Sequence, residues 1–188
     1  MKHPFHTVGI VGTGAMGRGI AQICAQAGSL VLLHDSQEQA CQKAIESLQA
    51  LWLRMAEKGR LSPAQVQEYM GRLRATSALS DLASCDLVIE AIVEKLDVKQ
   101  SVFQQLEALV RPDAVLATNT SSLSVTAIAS ALKRPERFAG YHYFNPVPLM
   151  KVVEVIAGLR TDPKVCEQLD LHARATGHTP VHAQDTPG

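Results

Sequence analysis

His142 lies near the end of the segment Phe138-Ala-Gly-Tyr-His-Tyr143, and Glu154 follows twelve residues later inside Val152-Val-Glu-Val-Ile156. Imidazole titrates near neutrality. A carboxylate that accepts one ring N–H fixes the tautomer and stabilises the protonated ring, which is what a general base requires. On the two-residue period of a strand, Val152, Glu154 and Ile156 share a face, so the carboxylate stands among apolar neighbours and calls for a polar partner. The same spacing fits an edge-strand glutamate turned to solvent beside an ordinary histidine.

A second constellation opens the chain. Gly12-Thr-Gly14-Ala15-Met16-Gly17 fits G-x-G-x-x-G, with the apolar run Thr7 to Val11 before it and an amphipathic pattern from Ala15 to Ala27 starting inside it. In that context Gly12 allows the tight turn, Gly14 lets backbone approach a pyrophosphate, and Gly17 lets helix pack on strand. The helix N-terminus then offers free N–H groups to phosphate. Gly12, Gly14, Ala15, Met16 and Gly17 are therefore expected against a dinucleotide. Asp35 comes 23 residues after Gly12, at the end of the next apolar run. A carboxylate there accepts both hydroxyls of an adenine ribose and repels a 2′-phosphate, and neither Ser36 nor Gln37 supplies a cation, so NAD is favoured over NADP. Asp35 also fits a cap on the following helix. Asn119-Thr-Ser121-Ser122 follows one strand pattern and precedes a helix, which sets it at the ligand edge of a sheet. It fits a loop that hydrogen-bonds a ribose or a substrate oxygen, and equally a polar turn with spare caps.

The elements that position these groups read as short aliphatic strands alternating with helices, the order of a parallel sheet covered on both faces. Strands are expected at 7–11, 30–33, 86–92, 114–118, 138–143 and 151–156. Helices are expected at 15–27, ended by Gly28, at 37–58, ended by Gly59, from the capping box Ser62-Pro63-Ala64-Gln65, at 97–110, from the cap Ser124, and at 166–176, ended by Gly177. The helical pair at about 37–75 interrupts the alternation and reads as an insertion. Gln184 to Gly188 reads as the start of a linker.

Composition narrows the partners. In 188 residues, Lys plus Arg equals Asp plus Glu at 18 each, so no net charge favours nucleic acid or an anionic membrane. Cys24, Cys41, Cys85 and Cys166 are widely spaced, without CxxC or a metal-ligand pattern, and read as packed free thiols; no metal is expected. The opening MKHPFH and its six-residue apolar run are too short for a signal or a span, so a cytoplasmic chain is expected.

GIVGTGAMGRGIA, DLVIEAIVEKLDVK, ATNTSSLSVTAIA and FAGYHYFNPVPLMKVVEVI together resemble the NAD-binding domain of the L-3-hydroxyacyl-CoA dehydrogenases over essentially the whole chain. His-x-x-Asn-Pro-x-Pro with a following Glu is the specific part. The resemblance implies a Rossmann-type, doubly wound α/β fold with an inserted helical pair, spanning 1–188. It implies that NAD is the cofactor and (S)-3-hydroxyacyl-CoA the substrate. It makes His142 the base, Glu154 its partner, Ser121 the group that binds the 3-oxygen, and Asn145 a neighbour of the nicotinamide. Glu94, Lys99 and Asn119 would line the nicotinamide half of the cofactor site, Ser47 and Arg54 on the inserted pair would meet CoA, and Arg54, Lys58 and Arg60 would suit its phosphates. Without the resemblance, Glu94 and Lys99 read as a solvated charge pair at the start of a helix. It further implies a C-terminal all-helical domain that completes the pocket and makes a homodimer. The sequence ends where that domain would begin, so the chain is expected to bind NAD and to turn over acyl-CoA poorly alone. Hydroxybutyryl and hydroxyadipyl chains both remain compatible. The competing readings are a β-hydroxyacid dehydrogenase of the 6-phosphogluconate or hydroxyisobutyrate type, which uses a lysine, and a non-catalytic NAD-binding protein.

Overall fold

The computed structural model describes residues 4–186; Met1 to His3 and the last two residues of the expected linker, Pro187 and Gly188, lie outside the described residues. The elements run β1 (Thr7–Val11), α1 (Ala15–Ala27), β2 (Leu30–His34), α2 (Ala40–Glu57), α3 (Pro63–Gly71), β3 (Leu73–Ala75), β4 (Leu87–Glu90), α4 (Leu96–Leu109), β5 (Val115–Thr118), α5 (Val125–Ala129), β6 (Phe138–Tyr143), β7 (Val152–Ala157), α6 (Pro163–Ala175) and β8 (Thr179–Ala183). They build one eight-stranded sheet in the order β3-β2-β1-β4-β5-β6-β7-β8. All neighbours are parallel except β6 and β7. The fold is therefore the expected doubly wound, mostly parallel α/β type. Its chain reverses direction outward from β1, to β2 on one side and β4 on the other, and a crevice at that switch is where open α/β sheets take ligands.

Burial on both faces explains why the central strands are almost uninterrupted aliphatic runs. One core holds Val8, Ile10, Ile20, Val31, Leu33 and Ile89 beneath α1 and α2, and continues through Tyr141, Val153 and Leu169 beneath α6. The other holds Val11, Val88, Phe103, Leu106, Leu116, Ile128 and Phe138 beneath α4 and α5. Trp52 of α2 is fully buried and packs on Tyr69 of α3 with ring centroids 5.4 Å apart, so the inserted pair is fastened by its own aromatic contact. The capping box of α3 is complete: Gln65 N–H donates to Ser62 Oγ, and Ser62 N–H donates to Gln65 Oε1. All four cysteines are free and buried, and burial pushes the Cys24 and Cys85 thiols up to about 12. No helix among the described residues is long and apolar enough to cross a membrane.

Four expectations need correction. Residues 73–75, placed in the helical insertion, form edge strand β3 beside β2. α2 begins at Ala40 rather than Gln37, after Gln39 in the left-handed region. The strand read over 86–92 spans only Leu87–Glu90, because Ala91 and Ile92 turn away over the Gly loop. The expected C-terminal linker is preceded by β8, paired to β7, and Asp185 is not loose: its carboxylate accepts hydrogen bonds from Ser124 Oγ, Val125 N–H and Thr126 N–H.

Asp185 thus ties the end of the chain to the first turn of α5. Burial pushes its carboxyl up, but the hydrogen bonds from Thr126, Val125 and Ser124 outweigh this and leave the pKa below the usual aspartate range. A carboxyl depressed in the folded state stabilises fully above its unfolded pKa of about 3.9, and that contribution disappears as pH falls through the folded value. Asp185→Asn is expected to lower stability at neutral pH by about 1 kcal/mol. The difference from wild type should begin to narrow as thermal melts are taken below pH about 3.9 and vanish only once the pH lies below the lower folded value; a constant difference across that range would assign the loss to shape instead of charge.

Candidate active site

The Gly loop uses its three glycines for three different contacts. Gly12 has φ +94°, and a Cβ there would stand 2.5 Å from the carbonyl oxygen of Ala91. At Gly17 a Cβ would lie 1.8 Å from the carbonyl oxygen of Gly12, so α1 and the turn touch backbone to backbone. At Gly14 it would meet nothing within 4 Å. Gly14 is the N-cap of α1, and no side chain caps that end. The arrangement leaves open space in front of uncapped N–H groups at a helix start, which is what a diphosphate requires.

Asp35 does not cap α2, which begins five residues further on. Its Oδ2 accepts from Thr13 N–H at 2.8 Å and Thr13 Oγ at 2.9 Å, and its Oδ1 accepts from Gln37 N–H at 2.9 Å. Burial raises this carboxyl, but the bonds from Gln37 and Thr13 outweigh it and hold the pKa below the ordinary aspartate value. The side chain is only partly buried, so an anionic acceptor stands at the edge of the Gly loop, fit for a diol and hostile to a phosphate.

At the other end of the crevice, β6 and β7 run antiparallel in a register that sets His142 opposite Glu154. Directly opposed residues point to one face. Their side chains meet, with His142 Nδ1 2.8 Å from Glu154 Oε2. A carboxylate can only accept, so Nδ1 carries a proton, and in the neutral ring Nε2 is the nitrogen with the lone pair. The pair is half-buried, and Phe144 stacks at a tilt on the imidazole with centroids 4.6 Å apart. A register slip of two residues would replace Glu154 by Val152 or Ile156, so the pairing is a property of the sheet as much as of the side chains.

His142 opens into a cavity of ≈ 340 Å³ that also exposes Met16, Glu94, Lys99, Asn119, Ser121 and Asn145. Seven sequence-selected residues from the ends of β4, β5 and β6 and from α1 and α4 therefore line one space. Glu154 stands behind His142. Asn119 Oδ1 accepts from Tyr143 N–H at 2.8 Å. Glu94 accepts from Thr120 Oγ at 2.8 Å and Ser121 N–H at 3.1 Å, which fixes the loop that carries Ser121. Lys99 is not a solvated charge at a helix start: it is 1 % exposed and its Nζ lies 2.5 Å from Glu90 Oε2 and 3.8 Å from Glu94 Oε2.

Ser47 and Arg54 do not reach that cavity. They line a neighbouring groove of ≈ 860 Å³, which shares Asn145 with it and has Ala15 on its wall. Arg18, whose Nη1 donates to Ser47 Oγ at 3.2 Å, Arg60 and Lys151 line it too, and no carboxylate does. Three features of the site escaped the sequence reading: the addition of Arg18 and Lys151 to the cations of this groove, the ring of Phe144, and Glu90. Only Glu90 left a signal, as the single charge in the aliphatic run Leu87-Val-Ile-Glu-Ala-Ile-Val93. No group of three or more His, Cys, Asp or Glu among the described residues could hold a metal ion.

The chain resembles known proteins over nearly its whole length. The family described as 3-hydroxyacyl-CoA dehydrogenase, NAD binding domain, matches residues 7–186. The chain is 43% identical over 182 residues to the 3-hydroxyadipyl-CoA dehydrogenase of Escherichia coli (strain K12), which covers 97% of this chain and 38% of the relative. It is 42% identical over 180 residues to the probable 3-hydroxybutyryl-CoA dehydrogenase of Deinococcus radiodurans, covering 96% and 64%. The crystal structure of 3-hydroxybutyryl-CoA dehydrogenase from Escherichia coli K12 superposes with a TM-score of 0.95 at 43% identity, over 98% of this chain and 39% of that one. The chain thus spans less than two thirds of the length of these relatives.

Proposed function

We propose that this chain, which belongs to the 3-hydroxyacyl-CoA dehydrogenase family and is built as its NAD-binding domain, takes part in oxidising (S)-3-hydroxyacyl-CoA to 3-oxoacyl-CoA. The observation that carries the reading is the His142–Glu154 pair at the mouth of the cavity that holds Ser121 and Asn145. NAD, when bound, accepts the hydride that leaves C3 of the substrate. His142 Nε2 takes the proton of the 3-hydroxyl, and Glu154 stabilises the imidazolium that results. In the reduction direction the same imidazolium returns the proton. Ser121 binds the 3-oxygen, and Asn145, Glu94, Lys99 and Asn119 shape the nicotinamide end of the cofactor site. At the other end Asp35 takes the adenine ribose, and Gly12, Gly14, Ala15, Met16 and Gly17 border the diphosphate.

The groove beside the cavity accommodates the remainder of the thioester. Its cations, Arg54 with Arg18, Arg60 and Lys151, suit the phosphates of CoA, and Ser47 stands among them. Leu149, Met150 and Val152, in the segment that joins His142 to Glu154, are exposed. A helical domain outside these 188 residues would cover them, complete the pocket and form the homodimer, and without it water reaches the reacting centre. These 188 residues taken by themselves are expected to bind the cofactor and to turn over slowly. Relatives are named for hydroxyadipyl and hydroxybutyryl chains, and both acyl groups are compatible with this reading.

A fluorescence titration tests this. NADH is expected to bind the chain with enhanced emission, NADPH at least about tenfold more weakly because of Asp35, and acetoacetyl-CoA to perturb the bound NADH signal. Equal affinity for NADPH would remove Asp35 from the ribose. An NADH signal indifferent to acetoacetyl-CoA would favour a non-catalytic NAD-binding protein.

A further inference from the structure

Glu90 takes no part in the mechanism above, yet it is fully buried at the carboxyl end of β4, directly behind the cavity. Its carboxylate accepts three hydrogen bonds from three separate segments: Thr118 Oγ at the end of β5, at 2.7 Å; Ile92 N–H of the loop after β4, at 2.7 Å; and Lys99 Nζ of α4, at 2.5 Å. Those are the segments that frame the cavity. The connection continues, because Lys99 Nζ also faces Glu94, and Glu94 holds Thr120 Oγ and Ser121 N–H. Through its backbone, Glu90 O accepts Asn119 N–H at 2.9 Å, and Asn119 Oδ1 receives the N–H of Tyr143, the residue after His142.

From this geometry we infer that Glu90 is a positioning residue for the nicotinamide half of the cofactor site: through Lys99, Thr118 and Ile92 N–H it sets where Glu94, Asn119 and Ser121 stand. The inference rests on the reading of the His142 cavity as the nicotinamide end. Stability alone is a poor reason for such an arrangement. A buried ion pair costs desolvation that apolar side chains of equal volume avoid, whereas a carboxylate with three directed donors specifies the relative placement of three chain segments. Glu90 does not line the cavity; its effect passes through groups that do.

The test compares NADH with ADP, which keeps the adenosine diphosphate half and lacks the nicotinamide. In Glu90→Gln the amide nitrogen either faces Thr118 Oγ, which must then accept instead of donate, or takes the acceptor from Ile92 N–H and Lys99 Nζ; in both cases Lys99 loses its buried anion. NADH affinity is expected to fall about tenfold or more, with ADP affinity unchanged within about twofold. Thr118→Val, which removes the donor to Glu90 together with the acceptor of Thr120 N–H and leaves the ion pair, is expected to give the same pattern at about threefold, and Thr118→Ser to restore wild-type binding. Parallel losses of NADH and ADP, or none for NADH, would overturn the inference and leave Glu90 a structural residue. Should the Gln variant fail to fold, the Thr118 pair decides on the same criteria. Failure of the underlying reading looks different: wild type would then bind NADH no more tightly than ADP.

Discussion

Replacing His142 with Gln is expected to slow the oxidation of bound NADH by acetoacetyl-CoA by about 10²- to 10⁴-fold, the range of a general acid or base, while the Kd for NADH changes less than about twofold. The reasoning is local. Glutamine retains a side-chain amide that can still donate to Glu154, so the β6–β7 pairing and the cavity wall persist, but it offers no group that exchanges a proton near neutrality. Single-turnover absorbance at stoichiometric NADH reads the chemical step directly. Unchanged turnover would transfer the proton to another group, and Lys99 would then be the first alternative, as in the lysine-dependent hydroxyacid dehydrogenases.

The second large effect separates two glycines three residues apart. Gly17→Ala sets a methyl group 1.8 Å from the Gly12 carbonyl oxygen, a backbone atom that cannot move without opening the turn. A loss of about 3 kcal/mol or more is expected, together with loss of NADH binding. Gly14→Ala adds its methyl to open space and requires only an extended backbone that alanine adopts readily. It should melt within about 1 kcal/mol of wild type and yet bind NADH at least about tenfold more weakly, because the methyl stands where the diphosphate approaches. Thermal melts and NADH fluorescence on the two variants read both effects. Normal NADH binding by Gly14→Ala would move the diphosphate away from the loop.

The fold was largely legible because parallel strands buried on both faces leave aliphatic runs that alternate with helical periodicity. The two strands that escaped are the two edges. Leu73–Ala75 is three residues long with Arg74 exposed, and Thr179–Ala183 contains a proline, a histidine and mostly exposed side chains. Edge strands answer to their neighbour's free backbone groups more than to their own side chains, so no hydrophobic pattern announces them. Asp185 was hidden for a related reason: a cap supplied from 60 residues away leaves no local signature.

The site divides in the same way. The Gly loop and Asp35 lie within one βαβ unit, where spacing and geometry are nearly the same thing. His142 and Glu154 have a spacing that allows contact without requiring it; the antiparallel register of β6 and β7, set by the turn through Asn145 to Met150, brings them together. The helical cap weighed for Asp35 disappears because Gln39 takes a left-handed conformation and delays α2, a backbone choice the residue types do not reveal. Lys99 looked like an exposed helix-start charge because its partner is on a strand, nine residues back.

The inserted pair has an optical consequence. Trp52 is the chain's single tryptophan, sealed against Tyr69 with no solvent contact. Indole emission from such a setting is blue-shifted and overlaps the absorption of reduced nicotinamide. Excitation at the indole band therefore gives resonance energy transfer to NADH from one fixed donor, and its efficiency is a built-in ruler between α2 and the cofactor. No label has to be attached to follow how the arm sits when the thioester arrives.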